Sequence, residues 1–243
     1  MSIFSDVSSV VNDMVSLFLP RICLACGKIL LENEGCLCLA CRYNIPLTGF
    51  SKNRNNPVRF IFENELSVEA ATAMLWYVNG TEWQSLIHKF KYHGRWAFAQ
   101  KMGEMLGEEL RGSGNFENVD LIVPVPLHFR RRLKRGYNQS EQLALGVSRK
   151  MGVKCDFRSV RRRVYNDSQT SKSHVERWDN VEGIFEVRRA EKLRGRHILL
   201  VDDVLTTGAT MISLAMAIKR ACDGDVRISI ATLAVSRRIV NDR

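Results

Sequence analysis

Ile198-Leu199-Leu200-Val201-Asp202-Asp203-Val204-Leu205-Thr206-Thr207-Gly208-Ala209-Thr210 decides how this chain is read. A wholly apolar run, the pattern of a strand buried on both faces of a parallel sheet, ends in two adjacent carboxylates. A hydroxyl-rich turn with one glycine then opens a helix, whose apolar stripe is Met211, Leu214, Ala215 and Ile218. Open α/β sheets bind ligands at the carboxyl ends of their strands, where this turn would sit. Two carboxylates can accept hydrogen bonds from a vicinal diol, as on a ribose. Backbone N–H groups and hydroxyls at a helix N-terminus suit a phosphate. A ribose with a 5′-phosphate would span both halves.

Outward from this stretch the chain alternates strand-like and helix-like segments. Thr72 to Val78, Leu121-Ile122-Val123 and Val226 to Val235 read as further strands. Trp83, Leu86, Ile87 and Phe90 recur at i, i+3, i+4 and i+7, one face of a helix. Phe98, Met102, Met105, Leu106 and Leu110 mark a second helix, and Gln139 to Met151 a third. This alternation predicts an α/β fold, a mainly parallel sheet flanked by helices. Ahead of it, residues 1–20 read as a helix ending before Pro20, and residues 21–50 as a small cysteine-rich module. Ser51 to Pro57 reads as a polar linker, and 58–243 as the large domain.

The 243 residues are 45% hydrophobic and 26% charged, an ordinary globular composition that excludes collagen-like, disordered and mini-protein classes. No apolar run approaches the roughly 18 residues of a membrane span. Val7 to Leu19 is interrupted by Asn12 and Asp13, and Asp6 stands where a signal peptide would be basic, so no signal peptide is expected. The expected location is cytoplasmic, where the seven cysteines would not form disulfides.

Cys23-x-x-Cys26 and Cys38-x-x-Cys41 form two knuckles, each bringing two thiolates onto one face of a turn, as tetrahedral zinc requires. Cys36 is a spare; pairing it with Cys41 is an alternative, but only Cys38 keeps the two-residue gap. The predicted metal set is Cys23, Cys26, Cys38 and Cys41, a structural zinc. Cys155 and Cys222 read as small buried residues.

The net charge is +10, and its basic excess gathers between Arg130 and Arg163. Such a field attracts polyanions, either phosphorylated metabolites or nucleic acid. Arg130, Arg131, Arg132 and Lys134 with the nearby aromatic Tyr137 form a candidate nucleic-acid surface, since aromatic rings among cations can stack the bases of a single strand. Phe129 and Tyr165 are interleaved in the same region. Pro124-Val125-Pro126 forces extended backbone after the second strand and would carry the following loop over the ligand edge.

The Ile198–Thr210 stretch resembles, position for position, the phosphoribosyl diphosphate (PRPP) motif of the type I phosphoribosyltransferases. The resemblance implies that Asp202 and Asp203 hold the ribose hydroxyls. It likewise implies that Thr206, Thr207, Gly208, Ala209 and Thr210 hold the 5′-phosphate, with magnesium carried mainly by the ligand. The pyrophosphate side would then be cationic, with Arg135, Lys89 and Lys91 as candidates and residues 165–180 closing over it. Leu121 to Leu127, Arg135-Gly136-Tyr137-Asn138-Gln139, Leu86 to Tyr92, Ser168-Gln169-Thr170 and Glu176 to Phe185, together with the four-cysteine ribbon, resemble the ComF family from about residue 17 to 235. That resemblance implies zinc, a cytoplasmic location and a role in natural transformation, the uptake of single-stranded DNA. It implies no settled reaction and no identified base. Two readings follow: a PRPP-binding protein that handles single-stranded DNA alongside competence proteins, or an active phosphoribosyltransferase that releases pyrophosphate.

Overall fold

The computed structural model describes residues 20–78, 80–89, 96–164 and 183–241. Along the chain come α1 (Leu39–Tyr43), α2 (Pro57–Phe60), β1 (Ala71–Tyr77), α3 (Glu82–Lys89), α4 (Trp96–Arg111), β2 (Leu121–Pro124) and α5 (Phe129–Arg135). After these come α6 (Gln139–Met151), β3 (Val160–Arg162), β4 (Phe185–Val187), β5 (His197–Leu205), α7 (Ala209–Ala221), β6 (Arg227–Ser236) and α8 (Arg237–Asn241). The helix expected over residues 1–20 lies, but for Pro20, outside the described residues, as do Lys91 and the closing segment from 165 to 180.

Four strands form a parallel sheet in the order β1-β6-β5-β2. Side chains alternate across it, so β5 feeds both faces. Leu199 and Val201 pack with Leu106 of α4 and with Leu143 and Val147 of α6. Ile198 and Leu200 pack with Met211, Leu214 and Ile218 of α7 and with Ile61 and Phe62 beyond α2. Apolar burial on both faces is what the continuous run at 198–201 required.

Beyond β2 the Ile122 N–H donates to the Lys154 carbonyl (2.9 Å) and the Asp156 N–H to that of Ile122 (2.8 Å), so residues 154–156 extend this edge of the sheet. At the other edge residues 46–48 run against β1, through Trp76 N–H to Pro46 (2.8 Å) and Thr48 N–H to Met74 (2.9 Å). Cys23, Cys38 and Cys41 share one apolar cluster with Met74, Leu75 and Trp83, so the cysteine module is packed onto the sheet–helix core.

The polar stretch 51–57 is folded tightly rather than strung out. Asn56 is buried and caps α2, accepting from the Val58 and Arg59 N–H groups while its amide donates to the Ala71 carbonyl (2.8 Å). Its side chain fastens the start of the large domain to β1. An asparagine side chain can act both as cap and as bridge, which a composition shift does not reveal.

Two elements differ from the sequence expectation. The segment after Pro126, expected as a loop, forms α5, which buries none of its residues. His128 caps it and Gly136 ends it at φ 83°. Its residues are good helix formers, but with no buried face there is no apolar period to read. The second is the antiparallel pair β3–β4, only three residues on each side, pairing Arg162 with Phe185.

Candidate functional site

β5 continues past its apolar run: Asp202 pairs with Thr232 and Leu205 with Val235 of β6, so both acids lie inside the strand and the turn begins at Thr206. Asp202 and Asp203 are half-buried at this carboxyl end, and Thr206 and Thr207 are exposed. Gly208, in the left-handed region at φ 82°, caps α7, and its carbonyl accepts the Ile212 N–H at 3.0 Å. This torsion favours glycine, and an added Cβ would press on Ile61 Cγ2 at 3.0 Å. Thr206, Thr207, Gly208, Ala209 and Thr210 thus form the entry to α7.

A second helix starts against the same strand end. Asn138 caps α6 by accepting from the Ser140 N–H (3.2 Å), and its amide donates to the Val125 carbonyl (3.0 Å), tying the cap to the end of β2. Val125 is itself held to β5 through the Val201 carbonyl at 2.9 Å. The Ser140 hydroxyl consequently reaches Asp202 Oδ1 at 2.7 Å, and the same oxygen accepts the Asp203 N–H at 2.9 Å. Sequence reading did not single out Ser140; the signal available was a capping asparagine two residues before it, ahead of the helical stripe at Gln139–Met151.

The cations come from α5 and the β3–β4 pair. Arg131 and Arg135, one helical turn apart, are half-buried, whereas Arg130, Arg132 and Lys134 are exposed. Arg132 pairs with Glu141 of α6 at 3.0 Å. Tyr137 is half-buried beside the Asn138 cap. Arg162, on β3, lies over the Phe185 ring at 5.7 Å. Burial disfavours its charge, Arg131 adds repulsion and Asp202 opposes both, so Arg162 stands within electrostatic reach of the acid at the strand end and of α5. Among the described residues Arg162 has no carboxylate within ion-pairing distance, while its neighbours Arg161 and Arg163 pair with Glu186. Arg162 was legible only as one of a basic trio; the alternation of β3 is what turns it away from Glu186. The backbone of Lys89 closes α3, and Lys91 lies outside the described residues.

The second centre is the cysteine cluster. The sulfurs of Cys23, Cys26, Cys38 and Cys41 all lie within 4.8 Å of one another. Cys26 and Cys38 are 3.7 Å apart, close to the roughly 3.8 Å that a tetrahedron with ~2.3 Å Zn–S bonds demands. The first knuckle turns through Gly27 (φ 78°), with its N–H on the Cys23 carbonyl at 2.8 Å. The second starts α1 at Cys38, and the Glu34 carboxylate braces it by accepting from Leu31 and Leu39 N–H groups. Burial pushes the Cys23 thiol up, but N–H groups of Cys26, Cys38 and Ala25 outweigh it and bring it down to about 6. Burial and the neighbouring thiols drive Cys41 well above the usual thiol range. Four sulfurs gathered at this spacing form a donor set whose chemistry fits zinc. Cys36 stands outside the set, its thiol pushed up by burial beside Lys101 and Glu104. Cys222 is buried and Cys155 half-buried, donating to the Ala144 carbonyl.

The family model described as "Phosphoribosyl transferase domain" matches residues 137–239, from the α6 cap through β6. The DNA utilization protein YhgH of Escherichia coli K12 is 33% identical over 56% of this chain, a match that spans 60% of that protein's own length. Competence protein F of Haemophilus influenzae is 27% identical over 56% of this chain and 61% of its own length. Competence protein ComFC of Streptococcus pneumoniae is 24% identical over 84% of this chain and 96% of its own. No helix among the described residues is long and apolar enough to cross a membrane.

Proposed function

We propose that this chain is a ComF-type protein with a phosphoribosyl transferase domain, that it binds magnesium–PRPP at the carboxyl end of β5, and that it handles single-stranded DNA in a competence-type uptake process. Residues 21–50 serve as a zinc ribbon and 58–243 as the phosphoribosyltransferase-like domain. One observation carries the PRPP half: the acid pair Asp202–Asp203 leads directly into the Thr206–Thr210 entry of α7, with Ser140 fixed on Asp202 and Arg162 alongside. Asp202 and Asp203 hold the ribose hydroxyls, the α7 entry holds the 5′-phosphate, and Arg162, Arg131 and Arg135 meet the pyrophosphate, with Lys89 and Lys91 as further candidates. Magnesium would be carried mainly by the ligand and would supply charge neutralisation to its pyrophosphate. A ligand that binds only the folded protein raises its melting temperature. Magnesium–PRPP should therefore raise that of the zinc-loaded protein, and not that of an Asp202→Asn/Asp203→Asn variant; equal shifts in both would refute the assignment.

The DNA half is supported by α5, where Arg130, Arg132 and Lys134 are exposed and Arg131 half-buried, with Tyr137 beside them, and by the names of the relatives. Salt-dependent binding of a labelled oligonucleotide, weakened by Arg130→Glu/Lys134→Glu, tests it.

Turnover is the second reading, and half-buried Arg162 with no carboxylate partner among the described residues favours it. Such a cation stabilises a departing pyrophosphate while the ribosyl carbon gains oxocarbenium character. Pyrophosphate release from PRPP in the presence of nucleobases or DNA is its readout.

A further inference from the structure

A pocket of about 410 Å³ opens at the amino ends of β2 and β5, the end of the sheet opposite the Asp202 turn. Arg196 to Asp202 spans six strand steps, or about 20 Å, so the two sites are separate. The wall of the pocket carries Lys154, Arg158, Arg189, Lys192 and Arg196, with Leu121 and Phe157 between them. Asp156 is its sole carboxylate; its oxygens are engaged by the Arg158 and Ser159 N–H groups (2.7 and 2.8 Å) and the Ser159 hydroxyl, and Lys192 acts on it electrostatically without forming an ion pair, so one acid stands against five cations. Elsewhere on this face cations are paired, Arg161, Arg163 and Arg188 with Glu186 and Arg194 with Asp223. None of the five pocket cations has an ion-pair partner among the described residues. A protein does not gather five unpaired cations around a concavity for stability, because their mutual repulsion opposes folding.

The lining says more than "anion". Phe157 is 42% exposed at the rim, and Leu121 gives an apolar floor. A bare phosphate uses only donors; an aromatic face among cations suits a nucleotide, its base on the ring and its phosphate on the charges. Arg158, at the pocket, stands four residues before Arg162, which is within electrostatic reach of Asp202 and of Arg131 on α5. A phosphate chain running along this segment would connect the two ends.

We propose that this pocket is a nucleotide-binding subsite, seating a base on Phe157 and its phosphates among Lys154, Arg158, Arg189, Lys192 and Arg196, and that its source is single-stranded DNA. The proposal deepens the nucleic-acid half of the proposed function and rests on it. The test is fluorescence anisotropy of a labelled oligothymidylate with the full zinc-loaded chain, over a salt series, with thymidine monophosphate as competitor. Variants are compared only at wild-type zinc content and melting temperature. Lys192→Glu/Arg196→Glu should weaken binding at least tenfold and flatten the log–log salt slope by about 1.4, two phosphate contacts on a single strand. Phe157→Ala should weaken it by about fivefold or more with the slope unchanged. Wild-type affinity in both pocket variants, beside weakened binding in Arg130→Glu/Lys134→Glu, overturns the pocket and leaves the DNA reading standing. Binding of the monophosphate alone, lost in the pocket variants, supports the subsite and overturns DNA as its source. Binding of neither ligand overturns both.

Discussion

The Ser140 hydroxyl donates to Asp202 Oδ1 at 2.7 Å, joining the first turn of α6 to the end of β5 across 62 residues of sequence. This bond fixes the orientation of the carboxylate that the proposed ribose contact needs. Hydrogen bonds to a charged group are worth about 1.5–3 kcal/mol. Ser140→Ala should therefore lower the melting temperature by a few degrees and, with the carboxylate no longer held, weaken magnesium–PRPP binding, read by titration.

The cysteine set makes a sharper distinction. Cys38→Ser should abolish zinc binding, whereas Cys36→Ser should retain one zinc per chain, both read by elemental analysis. Because Cys23, Cys38 and Cys41 pack with Met74, Leu75 and Trp83, metal removal should lower the melting temperature of the whole domain and not release the ribbon alone. Zinc needs thiolates, and burial with neighbouring thiols holds Cys41 protonated in the metal-free chain. Affinity should accordingly rise with pH and zinc should leave in acid.

Gly146 of α6 sets the approach of α4. A Cβ there would overlap the Gln100 carbonyl oxygen and come within 2.6 Å of the Glu104 nitrogen, both backbone atoms. Gly103 faces it with a matching lack of space. Neither helix can yield locally, so Gly146→Ala should part the pair, at a cost of about 2 kcal/mol or more, within the range of overpacked cores. Chemical denaturation measures it. The Ser140–Asp202 bond rides on α6, so magnesium–PRPP binding should fall as well.

His197 supplies a pH signature. It is 4% exposed at the start of β5. Its Nδ1 donates to the Asn118 carbonyl (2.9 Å), leaving Nε2 to accept from the Ser229 hydroxyl (2.8 Å), which describes a neutral ring. Burial holds its pKa below the ordinary value, and the Asn118 contact opposes this only partly. Below about pH 6.5 the unfolded chain takes up a proton that the folded chain refuses, so this contribution is complete above that pH and is lost on acidification. The melting temperature of His197→Gln should fall less steeply than that of wild type between pH 7 and 5.5; parallel curves would contradict the assignment.

These relationships mark where sequence reading stops. The helix at Gln139–Met151 and the strand around Ile198–Val201 were legible because burial writes a period of 3.6 or an unbroken apolar run. The four-cysteine set was legible because ligand spacing is local, and the α7 entry because its residues are contiguous. α5 was not, since a helix that buries nothing leaves no stripe. The β3–β4 pair was not either, because Arg161 bonds Glu186 across 25 residues and three-residue strands carry little pattern. Ser140 at Asp202 and Arg162 beside it are products of those long-range pairings. The basic pocket is a further case: Lys154 and Arg158 come from one segment and Arg189, Lys192 and Arg196 from another. Only the sheet edge brings them together.

The central claim is that the Asp202–Thr210 turn is a working PRPP site, and calorimetric titration of the zinc-loaded chain with magnesium–PRPP tests it most directly. The account predicts saturable one-to-one binding in the wild type, lost in Asp202→Asn/Asp203→Asn and weakened in Arg162→Ala. Absence of binding in the wild type, or equal binding in the double variant, would contradict it.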